Sequence, residues 1–93
     1  MAFSAMVYTK FQIVVADKGW IFIGDAEKTD KGIVIHNAKN IRRWGTEAGL
    51  GQLAKSGPTD ETELDDYGTV KIPIHSVIFT IEVDEKNWKQ QTA

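Results

Sequence analysis

FQIVVADKGWIFIGDA, residues 11–26, reads as two strands and the turn between them. Residues 11–16 (FQIVVA) are rich in β-branched side chains, which fit a pleated surface. Asp17-Lys18-Gly19 is a turn signal, since Asp bonds its own backbone and Gly accepts a left-handed conformation. Residues 20–26 (WIFIGDA) supply the second strand of a hairpin. Gly24 inside it has no side chain to pack, and so marks a bulge or a sharp bend.

Outward from this hairpin the pattern stays β-rich. Thr29-Asp30-Lys31-Gly32 is the next turn, residues 33–36 a third strand, and residues 41–44 a fourth. Asn37-Ala38-Lys39-Asn40 between them reads as a kink or tight turn. Further on, Val70, Ile72 and Ile74 alternate with Lys71 and Pro73. Pro73 cannot donate to a ladder, which places that strand at an edge or a corner. Residues 76–83 form the last strand, with Val77, Phe79, Ile81 and Val83 on one face. Asp84 caps a short terminal helix, and Val83 with Trp88 fits a hydrophobic staple. This order predicts a mainly β domain. It is either a small SH3-like or Sm-like barrel or a bent antiparallel sheet, with one short inserted helix and a short C-terminal helix.

The insertion spans residues 45–68. Thr46 is placed to cap a helix, with Glu47 near its positive end. Leu50, Leu53 and Ala54 fall at i, i+3 and i+4 and give that helix one apolar face. Gly49 and Gly51 each weaken it by roughly 1 kcal/mol relative to Ala. Glycines in such places let something approach the backbone closely. Gly57-Pro58 ends the helix. Residues 59–66 carry Asp60, Glu61, Glu63, Asp65 and Asp66, with Leu64 as the one apolar anchor, and read as a solvated surface loop.

The chain has 93 residues, enough for a single domain over 1–93 with loose ends at 1–7 and 91–93. Its core must be thin, and homo-oligomerisation is the expected remedy. Cysteine is absent, which excludes disulfides and Cys-ligated metals. A net charge of −2 counts against nonspecific nucleic-acid binding. No run of 18 apolar residues occurs, and the first six residues lack the basic and apolar regions of a signal peptide. The expectation is a protein without a membrane segment that stays in the cytoplasm.

Catalytic constellations are missing. His36 and His75 have no second ligand at metal spacing. Ser4, Ser56 and Ser76 stand in no nucleophile motif. Gly49-Leu50-Gly51 is not followed by the Gly-Lys-Ser/Thr of a phosphate loop. The acidic stretch lacks calcium-loop spacing. The expectation is a non-enzymatic protein without cofactor or metal.

A binding signal does occur, in NIRRWGTEAGLGQLAKSGPT, residues 40–59. Arg42 and Arg43 can fork onto phosphate or carboxylate. Trp44 offers a stacking face. Backbone N–H groups at the helix start near Thr46 point toward an anion. Gly49 and Gly51 open the backbone, while Lys55 and Thr59 add a charge and a hydroxyl. Together they read as a docking place for a small, flat, anionic ligand. Taken alone, Trp44 has the plainer role of closing the barrel end with Arg42 stacked on it. Trp20 and Trp88 read as core or interface residues.

Within the same stretch lies a resemblance. Residues 41–46 (IRRWGT), 49–51 (GLG), Leu53, Ala54, residues 57–59 (GPT), Thr62, Leu64, Asp65, residues 68–70 (GTV) and Trp88 resemble a family of small uncharacterised proteins carried by phages and prophages. The resemblance covers most of the chain and implies a setting, the cytoplasm of a bacterial host, without a mechanism. In that setting the leading expectation is a sponge that sequesters a cyclic nucleotide or similar immune signal. The alternatives are an Sm-like RNA-binding ring, which the net charge disfavours, and a protein–protein inhibitor of a host defence enzyme.

Overall fold

Two strands, Thr9–Ala16 (β1) and Ile21–Thr29 (β2), form the expected hairpin, with Val15 opposite Ile21 and Ile13 opposite Ile23. Between them runs a 3-10 turn over Asp17–Gly19, where Lys18 (φ 59°) and Gly19 (φ 82°) both adopt positive φ. That handedness matches the twist of the flanking strands. The computed structural model describes residues 9–92, with 89–92 described by backbone alone. The loose ends expected at 1–7 and 93 lie outside the described residues, while 91 and 92 continue the last helix.

The third and fourth expected strands are in fact one, Gly32–Arg43 (β3). Asn37-Ala38-Lys39-Asn40 does not reverse the chain. Asn37 takes a positive φ of 52° and the ladder slips one step, so the strand kinks and continues. This slip keeps Ile33, Ile35 and Ala38 in one cluster and turns Ile41 into the other. The predicted bend at Gly24 is present as a register shift against β3 between Ile23 and Asp25. A Cβ on Gly24 would lie 2.6 Å from Ile35 Cγ2 and 2.9 Å from the His36 carbonyl oxygen, so no side chain fits there.

The chain then forms helix α1 (Gly49–Ser56), strand β4 (Glu63–Pro73), a 3-10 turn over Ile74–Ser76, strand β5 (Val77–Glu82) and helix α2 (Glu85–Thr92). The sheet is antiparallel throughout, in the order β4-β3-β2-β1-β5. No ladder joins β4 to β5. Of the two expected architectures, the open bent sheet is therefore the one formed. Pro73 lies at the end of an edge strand, as its missing N–H requires. No helix among the described residues is long and apolar enough to cross a membrane.

FQIVVA lies near the middle of the sheet and buries both faces. Val14 and Ala16 join Phe22, Ile35 and Ala38 in one cluster, which contains no helical residue. Ile13 points the other way, with Ile21, Ile23 and Ile41, and there Leu53 and Ala54 of α1 and Trp88 of α2 cover it. The Trp88 indole N–H donates to the Ala54 carbonyl at 3.2 Å, and the Asp84 N–H donates to the same oxygen at 2.9 Å. Val83 packs in this cluster too, completing the staple.

Helix α1 begins at Gly49, two residues later than expected, and Thr46 does not cap it. The Thr46 hydroxyl instead donates to the Gly49 carbonyl at 2.7 Å, whereas an N-cap must accept from an N–H. Its expected end holds: Gly57 (φ 82°) donates to the Leu53 carbonyl at 2.9 Å. Residues 59–66 are not wholly a loop, because Glu63 to Asp66 belong to β4.

Candidate functional site

The cations of β3 meet the carboxylates of β4. The ladder slips between Ile41 and Arg43, and both Arg42 and Arg43 therefore reach Glu63. Arg42 also forks onto Asp65, Nε to Oδ2 at 2.8 Å and Nη2 to Oδ1 at 3.3 Å. Arg43 donates to Glu61 Oε1 at 3.1 Å, and Lys39 to Asp66 Oδ1 at 2.7 Å. The hydrogen bond to Asp65 holds the Arg42 guanidinium above its usual pKa, helped by the charges of Asp65 and Glu63. The acidic residues read as a solvated loop are thus the counter-charges of the arginines read as an anion site. Three cations face four carboxylates here, and a free phosphate arriving at Arg42 or Arg43 would meet net negative charge.

The other expected site residues mostly fasten the chain to itself. The Thr59 hydroxyl donates to the Gly45 carbonyl at 2.7 Å, and the Thr62 hydroxyl to the Trp44 carbonyl at 2.7 Å. Thr62 Oγ1 also accepts the Thr59 N–H at 2.8 Å, and Thr59 Oγ1 accepts the Glu61 N–H at 3.1 Å. These two threonines clasp the segment that leaves β3. Gly45 (φ 70°) is required inside the clasp, since a Cβ would sit 2.5 Å from the Glu61 carbonyl carbon and the Thr62 nitrogen. Trp44 is exposed and lies over Gly49. Gly51 is exposed on α1 with open space around it, and Lys55 sits in the last turn of that helix, its carbonyl accepting from the Asn87 amide at 2.8 Å. The expected docking place is therefore not assembled: Arg42 and Arg43 are ion-paired, Thr46 and Thr59 are hydrogen-bonded to backbone, and Lys55 stands on another element.

A different group is assembled beside Arg42. Trp20 and Phe22 stack with ring centroids 6.0 Å apart, and Tyr67 of β4 meets both edge-on, at 6.2 and 5.6 Å. Phe22 is buried, whereas Trp20 (46% exposed) and Tyr67 (48%) are open to solvent. Phe22 lies opposite Asn40, and extending that register by two residues sets Trp20 opposite Arg42. Asn40 in turn lies opposite Asp65. The buried Asn40 amide donates to the Ile21 carbonyl at 3.0 Å, which ties the strands together under the platform. Trp20, Phe22 and Tyr67 thus form one aromatic cluster, and the strand register places the Arg42–Asp65 pair at the neighbouring positions.

Sequence reasoning missed Asp65, Glu63 and Glu61 as the ion-pair partners of the arginines, and Tyr67 as part of the aromatic cluster. The available signal was the spacing of two between Glu61, Glu63 and Asp65, which is a strand period and not a loop signature. Among the described residues no group of His, Asp and Glu is arranged to hold a metal ion. His36 Nε2 lies 3.1 Å from Glu27 Oε1, a cross-strand pair on β2 and β3. No family model matches the chain, and neither the curated proteins nor the solved structures contain a match.

Proposed function

We propose that this chain is a non-enzymatic binding protein, and that its partner is another protein engaged through the aromatic face beside Arg42. The observation that carries this is the contact of half-exposed Trp20 and Tyr67 on the face that also bears Arg42. Trp, Tyr and Arg dominate the energetics of protein interfaces because they bury much area with few rotatable bonds. A protein surface can meet the mixed charges of Arg42, Asp65 and Glu63 with charges of both signs. A small anion can use only the arginines, and their carboxylates oppose it.

In the phage setting implied by the motif resemblance, the partner is a host protein and binding blocks it. The nucleotide-sponge reading makes a different demand, that an anion displace Asp65 and Glu63 from Arg42. Exposed ion pairs of this kind contribute little, which permits the exchange but gives it no driving force.

Affinity capture from a bacterial host lysate separates the two, run with the wild-type chain and with a Trp20→Ala/Tyr67→Ala variant. The proposal expects a protein retained by the wild type and lost from the variant, together with no calorimetric heat against cyclic di- and mononucleotides. Nucleotide binding that disappears in Arg42→Ala and persists in the double variant would replace this reading by the sponge.

A further inference from the structure

An open cavity of about 720 Å³ lies on the face of the sheet whose cluster contains no helical residue. It sits where β1 begins and β2 and β5 end, at the opposite end of the hairpin from Trp20. The register brings its walls together. Gln12 lies opposite Glu82, Lys10 opposite Ala26, and Val14 opposite Thr80. Alternation along β2 sets Lys28 on the same face as Ala26. Ala26 supplies only a methyl group among these longer side chains, and the hollow is the space it leaves.

Gln12 lines this cavity and is only 6% exposed. Its side-chain amide makes no hydrogen bond among the described residues, and neither amide atom is sealed from solvent, so the amide opens onto the cavity. The contrast is Asn40, equally buried, whose amide donates to the Ile21 carbonyl. A buried primary amide has two donors and an acceptor to satisfy, and leaving them unpaired costs stability. Leucine would fill the same space without that cost.

The remaining walls define what can enter. Glu82 is held by Lys10 at 2.8 Å, whereas Lys28 has no ion-pair partner among the described residues, so the lining carries one positive charge in excess. Thr80 adds a hydroxyl that also lacks a partner among them. No aromatic ring of the described residues lines the cavity, so a nucleobase has no stacking platform. The Gln12 carbonyl and the Glu82 carboxylate can only accept hydrogen bonds. The occupant must therefore donate as well as carry a negative charge, which a bare, fully ionised anion cannot do.

We propose that this cavity binds a small polyhydroxylated carboxylate, a sugar acid. Lys28 takes the carboxylate, the Gln12 amide donates to one ligand oxygen and accepts from a ligand hydroxyl, and Thr80 with the Lys10–Glu82 pair holds further hydroxyls. A single carboxylate matches the single excess charge. This site is separate from the aromatic cluster, and its occupant is a small molecule and not a protein.

The test is a titration of the full chain, labelled with nitrogen-15, with D-glucuronate as probe. The Gln12 side-chain resonance is identified by its absence from Gln12→Leu. Glucuronate should shift that resonance and the Thr80 backbone amide, and D-glucose and inorganic phosphate should act about tenfold more weakly or not at all. The Thr80 response should be lost in Gln12→Leu and in Lys28→Gln. Gln12→Leu should also raise the urea midpoint, because it removes an unpaired buried amide. Trp20→Ala/Tyr67→Ala should respond to glucuronate like the wild type. The proposal is overturned by a Gln12 resonance that glucuronate leaves in place, by an equal response to glucose or phosphate, or by a Thr80 response that survives Gln12→Leu. A lowered midpoint in Gln12→Leu overturns it too, since the amide would then serve the fold.

Discussion

The helix-covered face and the charged end of the sheet are built from similar residues and held by different physics. Both contain tryptophan and several hydrogen-bonded polar groups. Under the helices, Trp88 is fully buried and its N–H is spent on the Ala54 carbonyl. At the charged end, Trp20 and Trp44 stand in solvent and the arginines are held only by exposed ion pairs. A buried, hydrogen-bonded ring holds the fold, because removing it leaves a cavity and takes one of two donors from the Ala54 carbonyl. An exposed ring or ion pair contributes little to stability and is free to meet a partner. The threonine clasp belongs with the first region, although its residues looked like the second.

Substitutions can break or sharpen this contrast. Trp88→Ala should have the largest effect, a loss of about 3–5 kcal/mol in a urea titration. A loss under 1 kcal/mol would mean that the helices merely rest on the sheet. Gly45→Ala comes next, since an L side chain there is strained by about 1–3 kcal/mol before its clash with the Glu61–Thr62 backbone is counted. A neutral result would show that the clasp can loosen without cost. Arg42→Ala should leave the urea midpoint nearly unchanged while reducing partner capture at least tenfold. Unaltered capture would remove Arg42 from the binding face.

The smallest effect is a pH response. Glu82 is held below the ordinary carboxylate range, first by its 2.8 Å hydrogen bond from Lys10 and then by the charge of that ammonium. A lowered folded value means that the pair stabilises above the ordinary carboxylate range and stops doing so as pH falls through the lowered value. Both groups are exposed, so the effect should be slight and should fade in salt. Urea midpoints measured against pH at low salt should show a shallower acid limb for Lys10→Met than for the wild type. Superimposable limbs would discard the pair as a stabilising contact.

Much of the fold was legible because hydrophobic periodicity and turn chemistry are local. FQIVVADKGWIFIG announces its hairpin within fourteen residues, Gly24 announces its bulge, Gly57 the end of its helix, and Pro73 its edge. Asn37 misled because one positive φ can either turn a chain or kink a strand, and the outcome depends on whether β4 lies alongside. The site was less legible for a related reason. Arg42 and Arg43 are separated from Glu61, Glu63 and Asp65 by the whole of α1 and its flanking turns, and only the β3–β4 register shows that they neutralise one another. Thr46 and Thr59 offer hydroxyls in sequence, but whether those protons face a ligand or a carbonyl depends on a loop closed by Thr62.

The pairing of β1 with both β2 and β5 has a consequence for how the molecule is made. Gln12 lies opposite Gly24 on one side and Glu82 on the other. The first neighbour follows β1 after one short turn, whereas the second is separated from it by the whole of β2, β3, α1 and β4. Folding therefore closes one flank of β1 by a local contact and the other by a long-range one, and until β5 docks this apolar strand has one flank bare and exposed to misassembly.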